Sequence, residues 1–291
     1  MKLKQLLCVV AVVGGSAWIA QAQFGIPKPK LPDKVTGATD KAKPATDRAQ
    51  KASDTFASWP PEEEEGIGEA SAAKMIAMFG LMESDALNAY VNLVGTAVAQ
   101  FAPRQIPYRF GVLDTDMVGA FATPGGFIFV TKGAIAGMKN EAELAGVFGH
   151  EIIHASERHL ESEIRTSKTS KWAVEEGKQF KGPAGTEAFR AKAESVVTDL
   201  IDMRLSRGKE DGADERGTML AIQAGYAPDG LMNFLITLKA SDSSPKATKA
   251  FGQLMSTHPP LDERIAKLRA LVEKQPKKGE HNEKRFLKGI E

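Results

Sequence analysis

The pattern His-Glu-Ile-Ile-His at residues 150–154 constrains the fold of this chain more than any other feature. Residues four apart lie on one face of an α-helix, so a helix here lets the imidazoles of His150 and His154 reach one metal ion. Asn140 is a suitable N-cap for that helix. Apolar residues follow the cap at helical spacing: Leu144, Val147, Phe148 and Ile152. The segment therefore predicts a capped amphipathic helix with two histidine ligands for a metal ion.

Glu151 lies about 100° from His150 around such a helix. Its carboxylate then misses the metal but contacts a water molecule beside it, as a catalytic base does. Zinc suits imidazole ligands, and we expect one zinc ion per chain. The alternative is a chance match, because a pattern with three fixed positions recurs occasionally in any proteome. Its place in the middle of a capped helix favours the metal site.

The first residues have the composition of a secretory signal peptide. Lys2 and Lys4 precede an apolar run from Leu6 to about Gly14, and a small-x-small cleavage site ends at Ala22. That run is shorter than the roughly 20 apolar residues that span a bilayer, which disfavours a membrane anchor. We therefore predict a signal peptide at residues 1–22, cleavage after Ala22, and a periplasmic or secreted mature chain without a transmembrane segment.

Charge and cysteine content exclude several classes of partner and site. The formal net charge is +1 at pH 7, so no overall field attracts nucleic acid. Cys8 is the only cysteine and lies in the predicted signal peptide. The mature chain then has no disulfide, no thiol nucleophile and no cysteine-ligated zinc. A metal site built on histidine and glutamate is consistent with this composition.

Composition divides the mature chain into three parts. Residues 23–65 are rich in Pro, Lys, Ala, Thr and Asp and end in the acidic run Glu62 to Glu65, which predicts a disordered linker. Residues 66–272 carry the regular apolar patterns and form the predicted folded domain. Residues 273–291 form a Lys-rich tail that we expect to be frayed.

Apolar periodicity within residues 66–272 predicts a mainly helical α+β domain. Two helices with a break near Gly80 to Asp85 fit residues 66–102. A half-buried strand is predicted around residues 108–112, where apolar side chains alternate, and a second strand at residues 127–131 after a Pro-Gly-Gly turn. Further helices are expected at residues 193–205, 210–224, 231–238 and 261–272.

Two acidic residues downstream are candidates for the third ligand and its neighbour. Glu210 and Asp214 are four apart on a predicted helix, which places Glu210 at the metal and lets Asp214 accept the outer N–H of a ligand histidine. A solvated acidic face is the alternative. His159 lies about 140° around a helix from His154 and is interpreted as a structural or surface histidine. The polar, glycine- and proline-interrupted stretch from Glu161 to Lys192 predicts a mobile cover, here called the cover segment.

Five further segments form an ordered set of motifs: Ala120 to Val130, Ser206-Arg207, Glu210 to Gly217, Ala224 to Pro228 and Thr257-His258-Pro259. Together with the histidine helix they resemble the zinc metallopeptidase group that includes HtpX, the CAAX prenyl endopeptidase and, most similar, the periplasmic BepA-like enzymes. The matching motifs extend from about Gly66 to Val272, so the resemblance covers the predicted folded domain.

The resemblance implies a compact gluzincin peptidase domain, mainly helical, with a small sheet beside the active-site cleft. It implies that Glu210 is the third zinc ligand. It also implies that the chain is an endopeptidase for unfolded or misassembled periplasmic and outer-membrane proteins, with a function in protein quality control and association with outer-membrane proteins. The long C-terminal helical-repeat region of BepA-like enzymes has no counterpart in the 291 residues, so we do not expect partner recruitment through such repeats.

Substrate binding is a further implication of the resemblance. It places an extended peptide along an edge strand at Gly119, Ala120, Phe121 and Ala122, where backbone pairing holds the substrate. Relatives often have asparagine before the Ala-Phe-Ala segment, and Gly119 departs from that pattern. The departure affects the side-chain detail of substrate pairing and leaves the metal ligands unchanged.

His258, which precedes Pro259-Pro260, has two candidate roles. The resemblance directs it toward the cleft, where it either donates a hydrogen bond to the oxyanion during peptide hydrolysis or binds zinc as a fourth ligand. The oxyanion role is favoured, because a permanent fourth ligand leaves Glu151 no water to activate.

Two other classes of function stay open. One is a chaperone-like protein that binds chains in the same cleft without cleaving them, and the other is a structural zinc protein with His258 as the fourth ligand.

Overall fold

The computed structural model of the protein describes residues 58–166, 197, 207–241 and 260–291. The predicted signal peptide, the predicted linker up to residue 57, His258 and the cover segment from residue 167 onward lie outside the described residues. Expectations about these segments stay predictions. The histidine helix, Glu210, Asp214 and the predicted edge strand all lie within the described residues.

Two helices precede the sheet, as the sequence predicts. Helix α1 spans Pro61–Phe79 and helix α2 spans Asp85–Ala99. Gly80 follows α1 with φ of +78°, a left-handed conformation that favours glycine. Ser84 caps α2 by accepting a hydrogen bond from the backbone N–H of Leu87. The predicted break between the two helices is confirmed.

The acidic run belongs to α1 and not to a linker. Glu62, Glu63 and Glu64 form the first turn of α1, where carboxylates stabilise the positive end of the helix dipole. Glu64 is 1% exposed and accepts two hydrogen bonds of 2.7 Å from the Arg104 guanidinium. The predicted end of the linker at residue 65 is therefore wrong, because a buried ion pair holds the acidic run against the folded domain.

The sheet has three strands in the order β1-β3-β2 within the described residues. Strand β1 spans Arg109–Leu113, β2 spans Ala120–Ala122 and β3 spans Phe127–Thr131. Strand β3 pairs in parallel with β1 and antiparallel with β2, which makes β2 an edge strand. A 3-10 turn at Pro124–Gly126 connects β2 to β3, and Gly125 has φ of +72° there, a conformation that favours glycine.

Strand β1 is buried on both faces, whereas its alternating pattern predicts a half-buried strand. Phe110 and Val112 belong to the main core together with residues of α2. Leu113 packs in a second cluster with Met75 of α1 and Phe129 of β3. Cover on both faces is typical of parallel strands, which explains the difference.

Helix α4, which carries the two histidines, lies at the centre of the fold. Helix α3 spans Lys132–Gly137, and α4 spans Glu141–Ser156. Asn140 caps α4 as predicted, since its side chain accepts from the Glu143 N–H at 3.1 Å. Every residue of α4 is buried, because helices and the sheet pack around it on several sides. The predicted amphipathic helix, with one apolar face, is thus a helix that is buried on all sides.

Five helices follow α4 in the described part of the chain. They are α5 (His159–Thr166), α6 (Arg207–Gln223), α7 (Gly230–Ser241), α8 (Leu261–Val272) and α9 (Glu283–Ile290). Helices α6 and α7 pack on α4, and α8 packs on both of them. Among the described helices, none combines the length and the apolar character needed to span a bilayer. The predicted α+β fold, mainly helical with a small sheet, is confirmed.

Two glycines let α4 and α6 approach each other closely. A Cβ atom added at Gly149 would lie 2.2 Å from the carbonyl oxygen of Gly217, and one added at Gly217 would lie 2.5 Å from the backbone nitrogen of His150. A side chain at either position would separate the two helices. The glycine pair therefore brings the backbone of α6 against the turn of α4 that begins the histidine pattern.

The chain end is an ordered helix and not the frayed tail that the sequence predicts. Phe286 of α9 is fully buried in the main core. Arg285 donates from Nε to the buried carboxylate of Glu141 at 2.7 Å, and the hydroxyls of Tyr90 and Tyr226 donate to the same carboxylate at 2.8 and 2.9 Å. The expectation of fraying is wrong because one aromatic side chain and one ion pair outweigh the surrounding lysines.

Replacing Phe286 by alanine should destabilise the protein by about 3–5 kcal/mol, because deleting a buried aromatic ring leaves a cavity. Urea denaturation followed by circular dichroism measures the change in the free energy of unfolding. Leu287→Ala is the matched control, since Leu287 is the next residue of α9 and is 49% exposed. We expect the control to change stability by less than about 0.5 kcal/mol. Equal, small effects of both substitutions would contradict the contribution of α9 to the fold.

Candidate metal centre

Two imidazole nitrogens converge from successive turns of α4. His150 and His154 are both buried, and their Nε2 atoms lie 2.9 Å apart. The rings are nearly perpendicular, with centroids 4.5 Å apart. The four-residue spacing thus has the predicted geometric effect, since both rings face one point beside α4.

Glu210, at the start of α6, brings a carboxylate to the same point. Its Oε1 lies 3.5 Å from Nε2 of His154, and its Oε2 lies 3.7 Å from Nε2 of His150. One ligand atom from each of the three residues lies within 4.8 Å of the others. Glu210 is 0% exposed, so the alternative of a solvated acidic face is wrong for this residue. Two imidazole nitrogens and one carboxylate fit the three-ligand set of a catalytic zinc site.

Asp214 lies one turn further along α6, beside the outer nitrogen of His150. Its Oδ1 is 2.9 Å from Nδ1 of His150, which is the placement that the sequence predicts. Burial alone would raise the pKa of Asp214, but the charge and hydrogen bonds of Arg264 lower that pKa well below its usual value. Burial likewise lowers the pKa of His150, yet the Asp214 carboxylate raises it overall. The anionic Asp214 therefore stabilises positive charge on or beside the His150 ring.

Arg264 of α8 completes this arrangement, and the sequence reasoning did not include it. It donates from Nε and from a terminal nitrogen to the Asp214 carboxylate at 2.8 and 2.7 Å, and both partners are buried. The ion pair connects α8 to α6 beside the candidate ligand His150. A signal was present in the sequence, because Arg264 falls within the apolar stripe formed by Leu261, Ile265 and Leu268. A lone charge in such a stripe indicates a buried partner.

His159 lies closer to the metal centre than the sequence predicts. It is 6% exposed, and its Nδ1 lies 2.8 Å from Nδ1 of His154, so of the two interpretations the surface histidine is wrong and the structural histidine is consistent with the burial. The expectation that the ring points away from His154 assumed a continuous helix, whereas α4 ends at Ser156 and Arg158 has φ of +54°. The chain turns back over the last turn of α4. Burial lowers the pKa of His159, which favours the neutral ring.

Glu151 faces a largely apolar cleft beside His150. The cleft is lined by Gly119, Ala120, Ala134, Val147, His150, Glu151, Leu231, Phe234, Leu235 and Arg264. The candidate metal ligand His150 and the predicted base Glu151 therefore share one cavity with the beginning of the edge strand.

The predicted substrate strand borders this cleft. The carbonyl of Gly119 and the N–H of Thr123 form hydrogen bonds to residues of β3. Because hydrogen-bonded positions alternate along an antiparallel pair, Ala120 and Ala122 direct their N–H and C=O groups away from β3. No other described strand pairs with that side of β2. The edge thus presents backbone donors and acceptors next to the cleft.

Comparison with known proteins connects this geometry to a family. Residues 82–272 match Peptidase family M48. The chain is 27% identical over 215 residues to the beta-barrel assembly-enhancing protease of Yersinia pestis, covering 72% of this chain and 43% of that protein. It is 30% identical over 232 residues to a protease HtpX homolog of Thermodesulfovibrio yellowstonii, covering 68% of this chain and 81% of that protein. It is 27% identical over 206 residues to the metalloprotease YcaL of Escherichia coli K12, covering 68% of this chain and 78% of that protein.

The extent of these matches determines what they establish. The chain spans less than half the length of the beta-barrel assembly-enhancing proteases that it matches, with 43% of the Yersinia pestis protein and 40% of a Vibrio cholerae protein. The family match, in contrast, covers more than half of this chain and includes the histidine pattern, Glu210 and Asp214. The resemblance stated from the motifs is confirmed. The protein is therefore a metallopeptidase that belongs to peptidase family M48.

Proposed function

We propose that the protein is a zinc-dependent endopeptidase that cleaves unfolded or misassembled proteins of the periplasm and outer membrane. The observation that carries the proposal is the buried ligand set His150, His154 and Glu210 beside a cleft with an open strand edge. The part of the chain that the structure describes supplies three candidate ligands, which leave one coordination position for chemistry, whereas a structural zinc site closes all four. This difference favours catalysis over a purely structural metal.

Zinc is the metal that the donor set supports best. Imidazole nitrogens with one carboxylate suit zinc, and the candidate ligands include no thiolate. A bound zinc ion would polarise the peptide carbonyl and lower the pKa of a water molecule. His150, His154 and Glu210 would hold the ion, and Asp214 would orient the His150 ring through its Nδ1 hydrogen.

Glu151 is the proposed general base. Its side chain lines the cleft next to His150, where a carboxylate can take a proton from the attacking water and return it to the leaving amine. Binding of peptides without cleavage would need no such group. The position of Glu151 therefore supports hydrolysis over a chaperone-like function.

The edge of β2 determines the proposed substrate class. Outward N–H and C=O groups at Ala120 and Ala122 can pair with an extended peptide, as in other cases of strand addition. A folded protein rarely offers a free extended segment, whereas an unfolded chain offers many. The edge strand therefore favours unfolded substrates.

The cleft adds a preference for one side chain of the substrate. Its lining beyond the two catalytic-site residues is mainly apolar, with Val147, Leu231, Phe234 and Leu235. Burial of an apolar side chain against such a lining contributes about 25 cal/mol per Å². We therefore expect an apolar residue next to the cleaved bond.

The proposed periplasmic location rests on the predicted signal peptide at residues 1–22 and on the similarity to beta-barrel assembly-enhancing proteases. A beta-barrel assembly-enhancing protease of Yersinia pestis is similar over 72% of this chain. For this chain, the similarity supports substrates among outer-membrane proteins and their assembly intermediates.

His258 is proposed to donate a hydrogen bond to the developing oxyanion, the role that the sequence favours over capping of the zinc.

A small disulfide-bonded protein is a suitable test substrate for the proposed preference for unfolded chains, because the same sequence can be prepared folded or unfolded. The zinc-loaded enzyme should cleave the reduced and alkylated form and leave the folded, oxidised form intact. Mass spectrometry of the products should find an apolar residue beside each cleavage point. Equal cleavage of both forms would contradict the proposed substrate class.

The same assay tests the metal. Removal of zinc with a chelator should abolish cleavage, and addition of one equivalent of zinc should restore it. Cleavage that persists after the metal is removed, verified by elemental analysis, would contradict zinc-dependent hydrolysis.

A further inference from the structure

The two candidate ligand histidines have different partners at their outer nitrogens. When Nε2 of a histidine binds a metal, its Nδ1 carries the remaining proton and needs an acceptor. For His150 the carboxylate of Asp214 lies in that place, with its Oδ1 2.9 Å from Nδ1. For His154 the group in the corresponding place is another imidazole, since Nδ1 of His159 lies 2.8 Å from Nδ1 of His154.

The proton positions in this second arrangement follow from its geometry. To accept from His154, the Nδ1 atom of His159 must be unprotonated, so the His159 proton must reside on Nε2. Oε2 of Glu157 lies 3.1 Å from that Nε2 and can accept its hydrogen. The other carboxylate oxygen of Glu157 is paired with Arg216 of α6. A hydrogen-bond chain therefore runs from His154 through His159 and Glu157 to Arg216.

The turn after α4 holds His159 in this place. Arg158 adopts φ of +54°, a left-handed conformation that costs a non-glycine residue roughly 1–2 kcal/mol. Its guanidinium is 2.6 Å from the buried Glu64 carboxylate, which offsets that cost. The Nζ of Lys209 also contacts the carbonyl oxygen of His159 at 3.4 Å. Contacts from α1 and α6 thus fix the chain where it turns back toward His154.

We propose that His159 is a positioning residue that fixes the tautomer and the ring orientation of the ligand His154. Glu157 acts through His159 by fixing the His159 tautomer in turn. The inference rests on the proposed zinc site, because it requires that His154 binds the metal through Nε2. It gives a specific function to a residue that the sequence indicates only as a structural or surface histidine.

Two substitutions of His159 separate this role from simple packing. In His159→Asn, the side-chain Oδ1 occupies the place of the imidazole Nδ1 and can accept from His154. In His159→Leu, the acceptor is lost. His281→Leu is the matched control, because His281 is exposed and pairs with Asp229 away from the metal centre.

Zinc affinity, measured by competition with a chromogenic chelator, is the first readout. We expect His159→Leu to weaken zinc binding by about 10- to 100-fold, the usual effect of removing the outer partner of a ligand histidine. His159→Asn should stay within a few-fold of wild type, and His281→Leu should equal wild type. The second readout is the nitrogen NMR signal of the His154 Nδ1–H in the zinc-loaded protein. That signal should be present in wild type and His159→Asn and absent in His159→Leu.

Opposite results would overturn the inference. Equal loss of affinity in His159→Asn and His159→Leu would assign His159 a packing role, as would wild-type affinity in His159→Leu. His154→Ala distinguishes this failure from failure of the zinc site. If His154→Ala loses zinc while His159→Leu does not, the role of His159 alone is wrong. If His154→Ala retains wild-type affinity, the proposed ligand set is wrong as well.

Discussion

Replacement of Glu151 by glutamine should lower the rate of cleavage of an unfolded protein by about 10²–10⁴-fold, the usual contribution of a general base. Zinc content should stay at one ion per chain. The amide of glutamine has nearly the shape of the carboxylate but cannot take a proton. Because Glu151 lines the cleft and is not among the three ligand-type residues, the substitution changes the chemistry and not the metal site.

A matched control for this substitution lies two turns earlier on the same helix. Glu143 is buried and accepts a hydrogen bond from the Lys139 N–H at 3.0 Å, at the opposite end of α4 from the metal centre. Glu143→Gln makes the same chemical change and should leave cleavage and zinc content unchanged. If Glu151→Gln cleaves at the wild-type rate with a full zinc content, Glu151 is not the base.

Glu210→Gln should weaken zinc binding by more than about 100-fold, whereas Asp214→Asn should weaken it by about 10- to 100-fold. Glu210 presents its carboxylate to both Nε2 atoms, so its loss removes a ligand. Asp214 contacts only the outer nitrogen of His150, so its loss removes an orienting partner. Zinc occupancy after dialysis against a graded series of chelator concentrations measures both effects.

For the stability of the zinc-free protein, the order of the two substitutions should be reversed, with the larger loss for Asp214→Asn. Asp214→Asn leaves the buried cation of Arg264 without its anion, which costs about 3–5 kcal/mol. Thermal unfolding of the zinc-free proteins should therefore show a larger loss for Asp214→Asn than for Glu210→Gln. Glu215→Gln, an exposed neighbour on α6, is the control for both measurements. Equal zinc affinity in wild type and Glu210→Gln would exclude Glu210 as the third ligand.

The metal centre could be predicted from sequence where its geometry is local. The spacing of His150 and His154 on a capped helix specifies one face, and the spacing of Glu210 and Asp214 specifies another. Both depend only on helix periodicity, which the sequence displays directly. That the two helices meet at those faces came from the family resemblance, because periodicity does not state which helices pack together.

The missed residues are those whose role depends on tertiary packing. Arg264 belongs to the metal centre only because α8 crosses α6 at Asp214, and no local pattern specifies that crossing. His159 reaches His154 because the chain reverses at Arg158, whereas a continuous helix would direct it elsewhere. The burial of Glu64 and Phe286 has the same origin. The polar and charged residues next to Glu64 and Phe286 in sequence predict solvent-exposed segments. Single long-range contacts nevertheless determine where the folded domain begins and ends.

The close contact between Gly149 and Gly217 makes the distance between α4 and α6 depend on backbone atoms. The spacing of α4 and α6 is determined there by backbone atoms, which have no rotamers and do not change when side chains are substituted. We therefore expect Gly149→Ala or Gly217→Ala to move the ligand atoms apart, because an added Cβ has no room between the two backbones.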